Sequence, residues 1–320
     1  MKVLIASELT FLSASQSEFA NGQVHNKKGT TMAEITAALV KELREMTGAG
    51  MMECKKALTE AEGDIEKAVD VLRTRGLAAV AKKAGRATNE GTVMALVSDC
   101  GMSGALVELN CETDFVGMNE KFKAYAEKIA QAVLANKPAD LDALKASEFE
   151  GETVEAVVTD AIHTLGENIQ LSRFAYANQP EGAVASYIHG GGKIGVLVEF
   201  KLGDTAFATN DDFKKYGRDI AMQVAAASPV AATRESVDPA VVEHEMSIYK
   251  AQAAESGKPE NIQEKIATGR LEKFFKENCL TEQAYVKNPD QSVNEYTAEV
   301  AKSLGTTIEI VSFTRFMLGE

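Results

Sequence analysis

Few residues in this chain are equipped for chemistry. Cys111-Glu112-Thr113-Asp114-Phe115-Val116 puts a thiol, two carboxylates, a hydroxyl and an aromatic ring side by side. Two readings are open for it. Either Asp114 caps a helix and Phe115 belongs to the core, or the stretch acts on another molecule. His189-Gly190-Gly191-Gly192-Lys193-Ile194 contains the Gly-Lys pair of a phosphate-binding loop. That loop also needs a glycine five residues ahead of the pair's own glycine and Ser or Thr behind the pair. Tyr187 and Ile194 stand at those places, so the glycines are expected to turn a β-hairpin. Gly48-Ala49-Gly50 joins two helical patterns with no strand before it, which excludes a dinucleotide fingerprint. Cys54, Cys100, Cys111 and Cys279 never fall at C-x-x-C spacing, and His25, His163, His189 and His244 are equally scattered. A zinc site needs clustered ligands, so no metal and no cofactor is expected. Neither G-x-S-x-G nor H-E-x-x-H occurs, and an enzyme is disfavoured.

Composition limits the remaining choices. The chain has 320 residues, 45% of them hydrophobic, and a net charge of −13. That length supports two or three domains. The negative charge argues against a general grip on nucleic-acid phosphates. Lys82, Lys83 and Arg86 make a small basic strip, read as a solvated face. No run approaches the roughly 20 apolar residues of a membrane span, so a cytoplasmic protein with reduced thiols is expected.

The elements that must position these residues follow from periodicity. Residues 1–31 lack it and read as a non-structured extension or a misassigned start. Lys27-Lys28-Gly29 implies a purine-rich coding stretch shortly before Met32, as at a ribosome-binding site, and the mass of the N-terminal peptide distinguishes the two. From 32 to 77 three short helices are predicted. Ile35, Leu39 and Leu43 share one face, Met51 to Ala61 forms the second helix, and Asp64 caps a third bearing Ile65, Ala68 and Leu72. Gly76 is expected to stop that helix, leaving a linker over 78–89.

An internal duplication comes next. A gap-free shift of 91 residues aligns Glu90–Ala135 with Glu181–Ala226, with sixteen of 46 positions identical, among them Gly101/Gly192, Gly104/Gly195, Glu108/Glu199, Asn119/Asn210, Phe122/Phe213 and Tyr125/Tyr216. Each copy reads as a hairpin followed by a helix, and the two should pack as related α+β halves, one over 90–180 and one over 181–238 with 281–320. Helices near Asp140–Ser147 and Glu152–Leu165 and a strand at Ile169–Tyr176 lie between the copies. Asp238-Pro239 opens an antiparallel helical hairpin over 239–280, expected to project. A strand over Thr307–Leu318 ends the chain. The duplication also tests the Thr113–Val116 stretch. The second copy has Asp204-Thr205-Ala206-Phe207, without the Thr-Asp-Phe-Val order, although a one-residue slip would pair Phe115 with Phe207.

Two long stretches carry a resemblance. Glu108-Leu109-Asn110-Cys111-Glu112-Thr113-Asp114-Phe115-Val116 and Leu43-Arg44-Glu45-Met46-Thr47-Gly48-Ala49-Gly50-Met51-Met52-Glu53-Cys54-Lys55-Lys56-Ala57-Leu58 resemble the two signatures of bacterial elongation factor Ts, and similarity extends from Met32 to the end. The resemblance implies a three-helix, ubiquitin-associated-like N-terminal module, a duplicated α+β core and a projecting coiled coil. It implies guanine nucleotide exchange on the translation GTPase elongation factor Tu, met GDP-bound and nucleotide-free, with no nucleic acid or membrane partner. A homodimer or 2:2 complex is left open. Thr113, Asp114, Phe115 and Val116 would help dislodge the partner's magnesium ion. Leu43, Arg44, Met51, Met52, Lys55, His189 and Gly190 would touch the partner. Gly117-Met118 departs from the family's small residue plus lysine, so a nearby salt bridge is expected to be missing. A C-terminal helix found in some members is expected to be absent after Glu320. The rival readings are a scaffold or chaperone without exchange activity and a nucleotide-binding enzyme.

Overall fold

Apolar residues at helical spacing close the first unit. In the computed structural model, which describes residues 35–47, 49, 51–83 and 85–320, α1 (Ala37–Thr47), α2 (Met51–Glu60) and α3 (Ile65–Lys83) enclose Val40, Leu43, Cys54, Ala57, Leu58, Ala68 and Leu72. The extension over 1–31 and the start at Met32 lie outside the described residues. Asp64 caps α3 by accepting a hydrogen bond from the Lys67 N–H at 3.1 Å. Gly76 does not stop α3, contrary to the sequence expectation, and the helix runs on through the alanine-rich stretch to Lys83. Glycine ends a helix by adopting a left-handed conformation, and Gly76 keeps φ negative. Much of the expected linker is therefore helix, and α3 packs against α7 (Val154–Leu165).

Two antiparallel three-stranded sheets form the body. The first has the order β1 (Glu90–Val97), β2 (Ser103–Cys111), β5 (Ile169–Asn178), and the second β10 (Ile308–Met317), β7 (Ile194–Leu202), β6 (Gly182–His189). In β2 the side chains of Ala105, Val107, Leu109 and Cys111 face a helical layer of α5 (Glu120–Asn136) and α7. Leu106 points the other way and meets Val184 and Leu197 of the second sheet. The second sheet repeats this, with Val196, Val198, Phe200 and Leu202 turned toward α8 (Asp211–Ala227). Strands alternate faces with a period of two, so each sheet has one side on helices and one on its twin. With its sheets antiparallel and its helices layered on their outer faces, the fold is α+β.

The halves interlock reciprocally. Val93 N–H donates to the Gly192 carbonyl at 2.7 Å, and Val184 N–H donates to the Gly101 carbonyl at 2.8 Å. These are equivalent positions of the duplication with the copies exchanged. Gly104 lies under Val184 and Leu197, and Gly195 lies under Val93 and Leu106, with no room for a side chain at either glycine. Such an i-to-j, j-to-i pattern is that of a two-fold symmetric interface, here built within one chain.

The duplication extends beyond the segment visible as identities. α7 corresponds to α11 (Val293–Leu304) and β5 to β10 at a shift of 139 residues. Both helices end on left-handed glycines, Gly166 and Gly305. Both third strands bulge at the same place, Ser172 and Val311. The register jump arises because the second copy houses the helical hairpin of α9 (Pro239–Ala254) and α10 (Glu260–Asn278). That hairpin packs on itself, with Ala253 and Ala267 buried, and its main cluster lies at its base around Val237, Phe275 and Cys279. Short pieces complete the chain: α4 (Asp114–Gly117), α6 (Leu141–Ala146), and the two-stranded pairs β3 (Glu148–Phe149) with β4 (Glu152–Thr153) and β8 (Ala284–Tyr285) with β9 (Asn288–Ser292).

One buried carboxylate ties the last residues to the first sheet. Glu108 accepts from Arg173 Nε at 2.7 Å, from Asn110 Nδ2 at 3.1 Å and from the Gly319 N–H at 3.2 Å. Arg173 also donates to the Met317 carbonyl at 2.8 Å and stacks 4.3 Å from the Phe316 ring centre. Full pairing of this kind is what makes a buried charge tolerable. Among the described residues no helix is long and apolar enough to cross a membrane.

Candidate functional site

The Thr113–Val116 stretch sits where β2 ends. Thr113 is extended (φ −125°, ψ 152°), and its hydroxyl accepts from the Val116 N–H at 3.4 Å, which makes it the N-cap of α4. Asp114, the cap in one sequence reading, is instead the first residue of the turn and is exposed. Gly117 is buried on the backbone of Gly91, which presses α4 onto β1. Asn119 then starts α5 by accepting from the Lys121 N–H at 2.9 Å. Val116 packs against the first core. Phe115 points outward and is 81% exposed, with Met118 beside it at 61%. The reading of Phe115 as a core residue is therefore excluded.

The second copy shows that the fold does not need this exposed ring. Asn119 and Asn210 are both helix N-caps, and Phe122 and Phe213 are both buried. The gap-free register thus holds through the joint, and the one-residue slip does not occur. Phe207 takes the place of Val116 and packs on the second core, while Ala206 takes the place of Phe115.

A pair of glutamates braces the joint. Glu167 lies just after α7 and accepts from the N–H groups of Glu112 and Thr113, each at 3.0 Å, and from the Thr113 hydroxyl at 2.6 Å. Glu112 reciprocates by accepting from the Asn168 N–H at 2.6 Å and pairing with Arg86 at 3.3 Å. The Asn168 N–H, reinforced by the Arg86 guanidinium against a weaker opposing desolvation, holds the Glu112 carboxyl below the usual carboxylate range. The Cys111 thiol donates to the Thr113 carbonyl, and burial foremost pushes its pKa up to about 12. It is an un-ionised, inert thiol at neutral pH.

The other expected contact residues stand on separate elements. Arg44, Met51, Met52 and Lys55 are exposed on the three-helix unit. Leu43 is wholly buried in that unit's core, so a direct contact from it is a corrected expectation: α1 turns this face inward to pack on α2 and α3. Met46, 62% exposed, joins Met51 and Met52 at 60% and 67% as an apolar surface group. His189 is the last residue of β6 and Gly190 the first of the tight turn into β7, and the Tyr187 hydroxyl and His189 Nδ1 are 3.1 Å apart. Gly190, Gly191 and Gly192 all have positive φ. The turn leads into a strand rather than a helix N-terminus, so it lacks the geometry of a phosphate-binding loop. The basic strip is partly spent on internal contacts, since Arg86 binds Glu112 and Lys83 Nζ donates to the Ile162 carbonyl at 3.2 Å. Sequence reasoning noted Met118 only as a departure from the family pattern and did not single out Met46 or the role of Glu167. Met118 and Met46 fall within or beside the motif stretches, but only burial tells which apolar residues remain in water.

What this arrangement offers chemically is an apolar ring and flexible thioethers held in solvent. Contiguous exposed apolar groups mark interaction surfaces, and Met is the adaptable residue of such surfaces. Fold and site together define a protein-binding factor. A family model described as "Elongation factor TS" matches residues 112–320. Elongation factor Ts of Trichlorobacter lovleyi is 49% identical over 289 residues, covering 89% of this chain and 93% of its own length. Elongation factor Ts of Syntrophotalea carbinolica is 50% identical over 289 residues, covering 90% and 94%, and that of Desulfovibrio desulfuricans is 49% identical, covering 90% and 99%. The chain belongs to the elongation factor Ts family and serves translation elongation.

Proposed function

We propose that this protein releases GDP from elongation factor Tu by driving Phe115 into the nucleotide-bearing GTPase domain while the three-helix unit and the β6–β7 turn hold the partner. The supporting observation is the 81% exposure of Phe115 on a braced turn whose duplicate lacks the ring. GDP is held by phosphate contacts and a magnesium ion that neutralises their charge. Exchange needs no catalytic base. It needs a factor that binds the nucleotide-free GTPase more tightly than the loaded one, and linkage then makes nucleotide weaken the factor to the same degree. A coupling of about 5.5 kcal/mol corresponds to ~10⁴ in affinity. Burying one Phe contributes ~1.5–3 kcal/mol of that. Asp114, exposed at the start of α4, would compete for polar groups around the ion, while Thr113 and Val116 hold the turn. Arg44, Met46, Met51, Met52 and Lys55, with His189 and Gly190, make the remaining contact.

The test preloads elongation factor Tu with fluorescent GDP and follows its release into excess unlabelled nucleotide. Adding this protein should accelerate release up to a saturating rate. An unchanged rate at saturation refutes the proposal, and a complex without acceleration would favour a scaffold. GDP retained by the isolated chain in equilibrium dialysis would favour a nucleotide-binding enzyme.

Within the three-helix unit, stability and contact separate by residue. Leu43→Ala, in a filled core, should destabilise the unit by about 2–5 kcal/mol. Met52→Ala, at an exposed position, should change stability by less than about 0.5 kcal/mol and raise the concentration of factor needed for half-maximal release. Thermal melts and the release titration check the two, and a Met52→Ala titration matching the parent removes Met52 from the contact.

A further inference from the structure

We propose that Glu167 is a positioning residue for Phe115, holding α4 in the pose that release requires; the inference rests on the wedge reading above. A four-residue helix has no stability of its own, because nucleation is the costly step of helix formation. Phe115, exposed to solvent, supplies almost no packing to anchor the turn. Val116 and Gly117 seat the far end of the turn on the first core and on β1, and the near end is held through the backbone at Glu112 and Thr113. There the Glu167 carboxylate takes both N–H groups and the Thr113 hydroxyl. The same hydroxyl oxygen accepts from Val116 N–H, so one atom joins the brace to the helix.

The duplicate serves as an internal control. At the equivalent joint Glu112 becomes Gly203, Thr113 becomes Asp204, Glu167 becomes Thr306 and Asn168 becomes Thr307. The chains meet there through one backbone bond, Gly203 N–H to the Thr307 carbonyl at 3.0 Å. The buried Thr306 hydroxyl has no partner. The joint therefore forms without a carboxylate bridging its two segments, and its one carboxylate, Asp204, caps its own turn by accepting from the Ala206 N–H at 2.9 Å. The reciprocal glutamates occur only in the copy that carries the exposed ring, which assigns them to the ring rather than to the fold. Pre-organising a contact group lowers the ordering cost of binding, and a reacting geometry displaced by about 1 Å can cost about 10²-fold in rate.

The experiment measures release of labelled GDP from elongation factor Tu over a range of factor concentrations for Glu167→Ala, Glu167→Gln, Phe115→Ala and the Phe115→Ala/Glu167→Ala double variant. Glu167→Ala should lower the saturating rate about tenfold or more with the half-saturating concentration within about twofold, since the other contacts remain. Glu167→Gln, which keeps an acceptor for the two N–H groups, should recover most of the rate. The double variant should be no slower than Phe115→Ala, because an absent ring cannot be misplaced. Amide exchange at Val116 should quicken in Glu167→Ala, which reports the loosened turn independently of activity. A normal saturating rate for Glu167→Ala beside a slow Phe115→Ala overturns the positioning role alone, as do losses that multiply in the double variant. A normal rate for Phe115→Ala overturns the wedge reading, and the positioning role with it.

Discussion

Phe115→Ala is expected to slow saturating GDP release from elongation factor Tu by about 10- to 100-fold and to leave the melting temperature of the free protein unchanged. The magnitude follows from the ~1.5–3 kcal/mol that burial of a Phe side chain supplies, at 1.36 kcal/mol per factor of ten. The silence in stability follows from position. The ring is 81% exposed, so truncation removes no core contact, and surface substitutions usually lie within about 0.5 kcal/mol. Phe122→Ala is the contrasting control. That ring is fully buried, and its loss should cost about 3–5 kcal/mol of stability. Stopped-flow fluorescence and a thermal melt on both variants separate the two roles. Equal losses of stability would show that Phe115 supports the fold after all.

Gly195→Ala is expected to destabilise the fold by about 1–3 kcal/mol through overpacking, and removing the γ-methyl groups of Val93 on the facing strand should relieve it. A Cβ at Gly195 would stand 2.4 Å from Val93 Cγ1 and 2.8 Å from Leu106 Cδ1. The mirror site, Gly104, would meet Val184 Cγ1 at 2.8 Å and Leu197 Cδ2 at 3.1 Å, so Gly104→Ala should be milder. Both sites lie where the sheets cross, and the 2.4 Å approach leaves the first no slack. Urea melts of Gly195→Ala, Val93→Ala and the double variant form a cycle. The double variant should be more stable than the sum of the single losses implies. Strict additivity would mean that the sheets do not meet at this contact.

Much of this architecture was legible because local rules and tertiary packing agree. The stripe of Ile65, Ala68 and Leu72 behind Asp64 announced α3, and Asp238-Pro239 announced α9. The glycine run after His189 read correctly as a hairpin turn because the residues flanking it fail the phosphate-loop pattern. Gly76 misled because glycine is permissive rather than terminating: its cost of about 1 kcal/mol in a helix interior is outweighed where alanines follow and α7 offers a surface. α11 went unread, although Ser292 and Glu295 form a capping box ahead of Val293, Tyr296, Val300 and Leu304. Its kinship with α7 was masked because the hairpin insertion changes the shift between the copies.

Leu43 and Phe115 mark the limit of reading apolar residues from motifs. Both stand in signature stretches and both are apolar, yet one is sealed in a core and the other stands in water. Burial is a property of the neighbours that folding brings, and those neighbours are distant in sequence. The chain by itself determined most of the segments that become helices and strands, the existence of a duplication, and the stretch around Phe115 as the place to look. Only the tertiary structure decided that the copies clasp each other through equivalent residues, that Phe115 is left outside, and that Glu167, 54 residues beyond Thr113, is hydrogen-bonded to the start of the turn that carries the ring. Helix and strand periods are written in neighbouring residues, whereas a brace between two strand ends exists only once β2 and β5 are paired in register.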